Sequence, residues 1–198
     1  FLLERHFREI VPNAIVPSVY NSNRNAILSV VSSISRDVYK GIPEMSLLNA
    51  VFNYYDYCES QREDITKLRT LRREFEGISR VELQGEWAKL IAFNFLGLTQ
   101  RKLAECKKYQ EGFGDFVPAE DSFHEALRLL NAILAARPTA KKSHSVWAGF
   151  VKWNLYRLYA SKHAMMPSVL NEKRLTLFND AREIRENNYR NIKQCTTS

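Results

Sequence analysis

The sequence predicts an all-α protein, and three observations carry that expectation. Apolar residues recur every three to four positions almost everywhere, which is the spacing of one helix face. Glycine (7) and proline (6) are scarce in 198 residues, although the tight turns of sheet proteins consume both. No stretch alternates apolar and polar residues long enough to read as a strand. Hydrophobic residues make up 45% and charged residues 26%, as in an ordinary globular protein. A chain of this length buries roughly 70% of its unfolded surface, so a substantial core is expected.

The elements follow in order. Leu2 to Val11 reads as a short helix stopped near Pro12, and Asn13 to Ser22, with Pro17 inside it, reads as irregular. Asn23 can cap a helix carrying Ile27, Val30, Val31, Ile34 and Val38, which Gly41 ends. Pro43 suits the first turn of the next helix, whose stripe is Leu47, Leu48, Val51, Phe52 and Tyr55. Because Tyr54, Tyr55 and Tyr57 point in different directions, at least one is expected to be exposed. A helix from about Asp64 to Phe75 carries Ile65, Leu68, Leu71 and Phe75, and Gly77 is expected to close it.

Ser79 and Glu82 form a capping box, flanked by Ile78 and Leu83 as a hydrophobic staple. One long helix is expected from there to about Gln110, with Gly85 and Gly97 as its weak points. Glu111 to Glu120, with Gly112, Gly114 and Pro118, is the clearest loop. Ser122 and Glu125 make a second capping box, opening a helix to about Arg137 before Pro138. A further helix covers about Ser145 to Lys162. Met165 and Met166 fall in the next loop, and Pro167 opens a last helix with Leu170, Leu175, Phe178, Ala181 and Ile184 on its inner face.

This makes about eight helices with short connections, and helices so joined are usually antiparallel neighbours. Stacked antiparallel helical hairpins are the expected architecture, as a solenoid or an irregular bundle. The loop divides an N-terminal helical region, 1–110, from C-terminal hairpins, 119–188, and the polar tail 189–198 is expected to fray. The chain starts at Phe1 with no basic segment leading into an apolar run. A piece of a longer protein is therefore expected, not a signal peptide. Cys58, Cys106 and Cys195 are odd in number and far apart, which fits a reducing, cytoplasmic setting. No apolar run approaches the ~18 residues of a membrane span, so no membrane partner is expected.

The formal net charge is +7, and it is uneven. Between Glu125 and Glu172 there is no acidic residue, while Arg128, Arg137, Lys141, Lys142, Lys152, Arg157 and Lys162 give seven cations, accompanied by His144 and His163. On the Ser145–Lys162 helix, at about 100° per residue, Trp147, Val151, Leu155 and Leu158 form a core stripe. Lys152, Trp153, Tyr156 and Arg157 fall on the other side. Cations interleaved with aromatics away from a core suit phosphates and unpaired bases. The alternative is a second packed face, because a helix apolar on both sides is often buried. A second cluster, Arg69, Arg72 and Arg73, is diluted by Glu74 and Glu76 and reads as a solvated face.

Phe123, Ala126, Leu130 and Pro138 fall at the spacing of the second-helix aromatic, small alanine, large apolar residue and terminal proline of a tetratricopeptide repeat. Residues 122–138 resemble that family in these positions, with Ile133 standing where it has a small residue. The resemblance implies a helical hairpin repeat that binds a protein or peptide. Arg157 and His163, with five residues between them, resemble the Arg-x4–6-His motif of HEPN ribonucleases. That resemblance implies phosphate stabilisation and acid–base cleavage of RNA by the pair. Leu158 departs from it, since the family usually has a polar residue there.

Other chemistry is not signalled. Gly112-Phe113-Gly114 lacks the Lys-Ser/Thr of a phosphate loop. There is no Cys-x-x-Cys, the four histidines are scattered, and no Gly-x-Ser-x-Gly elbow is present. Glu120 and Asp121 read as carboxylates beside a helix start. No catalytic residue, metal or cofactor is assigned. The leading expectation is a non-catalytic helical scaffold or interaction module of a larger regulatory or sensing protein, binding a protein partner or neighbouring domain. The second is RNA or single-stranded DNA binding through Arg137, Lys141, Lys142, Lys152, Trp153, Tyr156 and Arg157. The third is a HEPN-like ribonuclease.

Overall fold

A computed structural model describes residues 43–60, 63–81, 86–107, 112–136, 141–165 and 179. Five helices and no strand are found among them: α1 (Pro43–Glu59), α2 (Ile65–Arg80), α3 (Glu86–Glu105), α4 (Val117–Ala136) and α5 (Lys141–Met165). The all-α expectation holds. The helices expected before Pro43 and after Pro167, and the tail 189–198, lie outside the described residues.

Local chemistry sets the helix limits. Pro43 opens α1, where its missing N–H is no loss. Asp64 caps α2, its Oδ1 accepting the Lys67 N–H at 2.9 Å. Gly77 does not close α2, which continues to Arg80, with the Val81 N–H donating to the Ile78 carbonyl at 3.3 Å. Ser79 is therefore not the N-cap expected of it, and Glu82 lies outside the described residues. Ser79 lies inside the last turn of α2, and its hydroxyl donates to the Glu76 carbonyl at 2.9 Å, a local bond that competes with capping.

Past α3, Gly114 adopts φ 81°, which favours glycine. Its N–H donates to the Ala104 carbonyl at 2.9 Å, folding the loop back over the end of α3. Asp115 Oδ1 then accepts the Val117 N–H at 3.2 Å, and α4 starts there, with Pro118 in its first turn. The second expected capping box fails for that reason. Ser122 is interior to α4, and its hydroxyl donates to Gln100 Oε1 on α3 at 2.7 Å, while Glu125 pairs with Arg128.

Consecutive helices pack on each other, and α3 touches both α1 and α5. Gly97 of α3 lies against Phe123, Gln100 against Ser122 and Ala104 against Gly114. Positions rise on one side as they fall on the other, so α3 and the α4 segment are antiparallel. On α3 and α5, Asn94 pairs with Asn154 and Glu105 with Ser161, both rising, so these two helices run in the same sense. One apolar core joins residues of all five helices, from Val51 and Phe75 through Phe95 and Phe123 to Leu155. Phe95 is its hub, meeting Tyr54, Tyr55, Phe75 and Phe150 at centroid distances of 5.5 to 6.5 Å. The tyrosine expectation is corrected here. Tyr54 and Tyr57 are buried, Tyr55 packs half-buried against the core, and none is exposed.

Candidate interaction surface

The α5 sequence builds two faces. Val151, Leu155 and Leu158 are fully buried, as their three-to-four spacing requires. Asn154 and Tyr159 join them, Asn154 Nδ2 donating to the buried Asn94 Oδ1 at 3.0 Å. Around the helix from this stripe, Lys152, Trp153 and Tyr156 are half-buried and Arg157 is exposed. The Trp153 and Tyr156 rings lie 5.1 Å apart with planes 32° from parallel. Positions three apart sit side by side on a helix, so the two rings make one aromatic surface.

These four residues are the part of the sequence-derived site that the structure brings together. Lys141 and Lys142 lie in the first turn of α5, their side chains outside the description, and Arg137 lies outside the described residues. The expectation of seven uncompensated cations is corrected at two positions. Arg128 makes a bidentate pair with Glu125, both bonds 2.7 Å. Lys162 Nζ donates to Glu120 Oε2 at 2.9 Å. The counter-charges come from the same helix one turn away and from α4. Positions 157 and 163 both fall within α5, about 120° apart around it and roughly 9 Å along it.

The sequence reading missed the cluster around Glu120. Tyr159 donates its hydroxyl to Glu120 Oε1, and His124 Nε2 stands 3.3 Å from the same hydroxyl. Burial pushes the Glu120 carboxyl up, but hydrogen bonds from Tyr159 and Lys162 outweigh it and hold it below the usual carboxylate value. Burial and the bond to Glu120 push the Tyr159 phenol well above its ordinary value. The i,i+4 spacing of Glu120 and His124 was the only local signal. Tyr159 and Lys162 sit 39 and 42 residues away.

Elsewhere, an open groove of about 540 Å³ between α1 and α2 has Arg73 and Glu74 on its wall and no histidine or cysteine. Arg72 pairs with Glu76 at 3.5 Å. No group of three His, Cys, Asp or Glu among the described residues is placed to hold a metal ion. No helix among them is long and apolar enough to cross a membrane. Comparison with family models, curated proteins and solved structures found no match to this chain.

Proposed function

We propose that this chain is a non-catalytic helical interaction module of a longer regulatory or sensing protein, and that it holds a protein segment against the Trp153–Tyr156–Arg157 face of α5. The observation that carries this is the paired, half-buried Trp153 and Tyr156 with Arg157 beside them. Tryptophan, tyrosine and arginine dominate the energetic centres of protein interfaces, where aromatic area and a planar cation act together. The α3–α4 hairpin suits a tetratricopeptide-like role, because Phe123, Ala126 and Leu130, which carry that resemblance, are buried on α4. Ion pairing of Arg128 and Lys162 removes two cations from the region that favoured a polyanion. The free thiols of Cys58 and Cys106 suit a reducing compartment.

A peptide-display selection against the intact chain tests this. Selected peptides are expected to lose at least about tenfold in affinity with Trp153→Ala or Tyr156→Ala, while circular dichroism stays unchanged. Peptides indifferent to both changes sink the reading. Tight binding of a single-stranded RNA 20-mer that weakens steeply with salt transfers the face to nucleic acid.

A further inference from the structure

Arg101 is 2% exposed, and a guanidinium has five N–H donors to satisfy. Its Nε donates no hydrogen bond. The carboxylate oxygen paired with it, Glu105 Oε1, stands 3.5 Å away and already accepts the Ser161 hydroxyl at 2.6 Å. Lys102 reaches the other Glu105 oxygen only at 3.9 Å.

A second arginine faces the first. Glu105 lies one turn after Arg101 on α3, and Ser161 one turn after Arg157 on α5. The helices run in the same sense and Glu105 touches Ser161, which sets Arg157 against Arg101 across the contact. Burial pulls the Arg101 pKa below its ordinary value more than Glu105 restores it, and the charge of Arg157 pulls the same way. The charges of Arg101 and Arg157 both act on the α1 side chains Tyr54, which is buried, and Cys58, which is exposed. Among the described residues Glu105 is the one carboxylate paired with Arg101 and Lys102, and none is paired with Arg157, so the three cations stand two positive charges in excess there.

We infer that this α1–α3–α5 junction binds a phosphate-class oxyanion between the Arg101 and Arg157 guanidinium groups, with Lys102 at its rim. Phosphate carries about −1.5 to −2 charges at neutral pH, which matches the excess, whereas a carboxylate neutralises half of it. Paired guanidinium forks recognise its oxygens bidentately. Arg157 and Cys58 are both exposed, so the junction opens to solvent beside the buried Arg101. The inference rests on Arg101 and not on the Trp153–Tyr156 pair.

Thermal unfolding of the full chain tests it, with inorganic phosphate titrated at constant ionic strength. A saturable rise in Tm is expected, on the order of 5 °C at a hundred times Kd. Adenosine monophosphate acting at tenfold lower concentration points to a nucleotide phosphate as the source, and equal potency points to free phosphate. Arg157→Gln, an exposed change, is expected to abolish the shift. Arg101→Met is expected to abolish it as well, while holding Tm in phosphate-free buffer, since an apolar replacement of a poorly satisfied buried charge is often neutral or stabilising. Trp153→Ala is expected to keep the shift, which distinguishes the phosphate site from the aromatic pair, Arg157 bordering both. Should Arg101→Met fail to fold, Arg157→Gln decides alone. No saturable shift below about 10 mM phosphate, or a full shift persisting in Arg157→Gln, overturns the inference.

Discussion

A Cβ added at Gly97 stands 2.8 Å from two ring carbons of Phe123, and that ring is fully buried, so it has nowhere to retreat. Alanine gains up to about 1 kcal/mol over glycine in a helix interior, but overpacking a tight core costs about 1–3 kcal/mol. Gly97→Ala is therefore expected to lower stability by about 1–2 kcal/mol, read as a shift in urea midpoint at constant slope. Gly77 supplies the contrast, since nothing lies within 4 Å of its Cβ position. Gly77→Ala is expected to stabilise α2 by about 0.5–1 kcal/mol. If both changes act in the same direction, close approach at Gly97 is not the reason for its glycine. The Asn94–Asn154 pair makes a related case. Asn154→Ala leaves a buried Asn94 amide with no partner on α5, at an expected cost of about 1–3 kcal/mol.

Between helices, Glu120 ties α4 to α5 through Tyr159 and Lys162. Its carboxyl is held below the usual value of 4.5, so the folded state favours the ionised form. That stabilisation is present above the unfolded pKa and is lost as pH falls through the folded one. Glu120→Gln is expected to cost about 1–2 kcal/mol at pH 7. The gap to the unchanged chain should narrow as pH falls below the ordinary carboxylate value of 4.5 and through the lower folded value, as urea unfolding at neutral and acid pH will show. A gap that stays constant with pH means the carboxylate charge plays no part. This tie also shows what the sequence made legible. The apolar stripes of α2 and α5 were readable because burial of Leu68, Leu71, Phe75, Val151, Leu155 and Leu158 follows helical period alone. Helix starts were less legible. Serine followed three residues later by glutamate is a capping pattern only if the chain is not already helical. Ser79 and Ser122 both lie inside helices and spend their hydroxyls on Glu76 and Gln100. Of the candidate face, Lys152, Trp153, Tyr156 and Arg157 came from helical spacing. The Glu120–Lys162 and Arg101–Arg157 relations needed the fold, because their partners are brought together from more than 40 residues apart.

At the scale of the molecule, the hub at Phe95 decides whether five helices unfold as one. Its ring is fully buried and is met by rings from α1, α2 and α5, so deleting it removes contacts from four helices together. Phe95→Ala is expected to cost about 3–5 kcal/mol, as for other buried aromatics. In a chain of about this size that lowers Tm by roughly 6 to 20 °C, at 2–4 °C per kcal/mol. Cooperativity carries the sharper expectation. If the core is energetically continuous, as its membership across all five helices implies, ellipticity at 222 nm and tryptophan fluorescence should report coincident transitions in both proteins. Trp87 on α3 and Trp153 on α5 place fluorescent reporters on two of the helices that meet at the hub. With Trp87→Phe added, so that the remaining tryptophans lie on α5, a fluorescence transition that precedes loss of ellipticity would show that α5 separates first. The Trp153–Tyr156 face of α5 would then be carried by a detachable helix, and ligands of that face should restore coincidence by binding only the docked state.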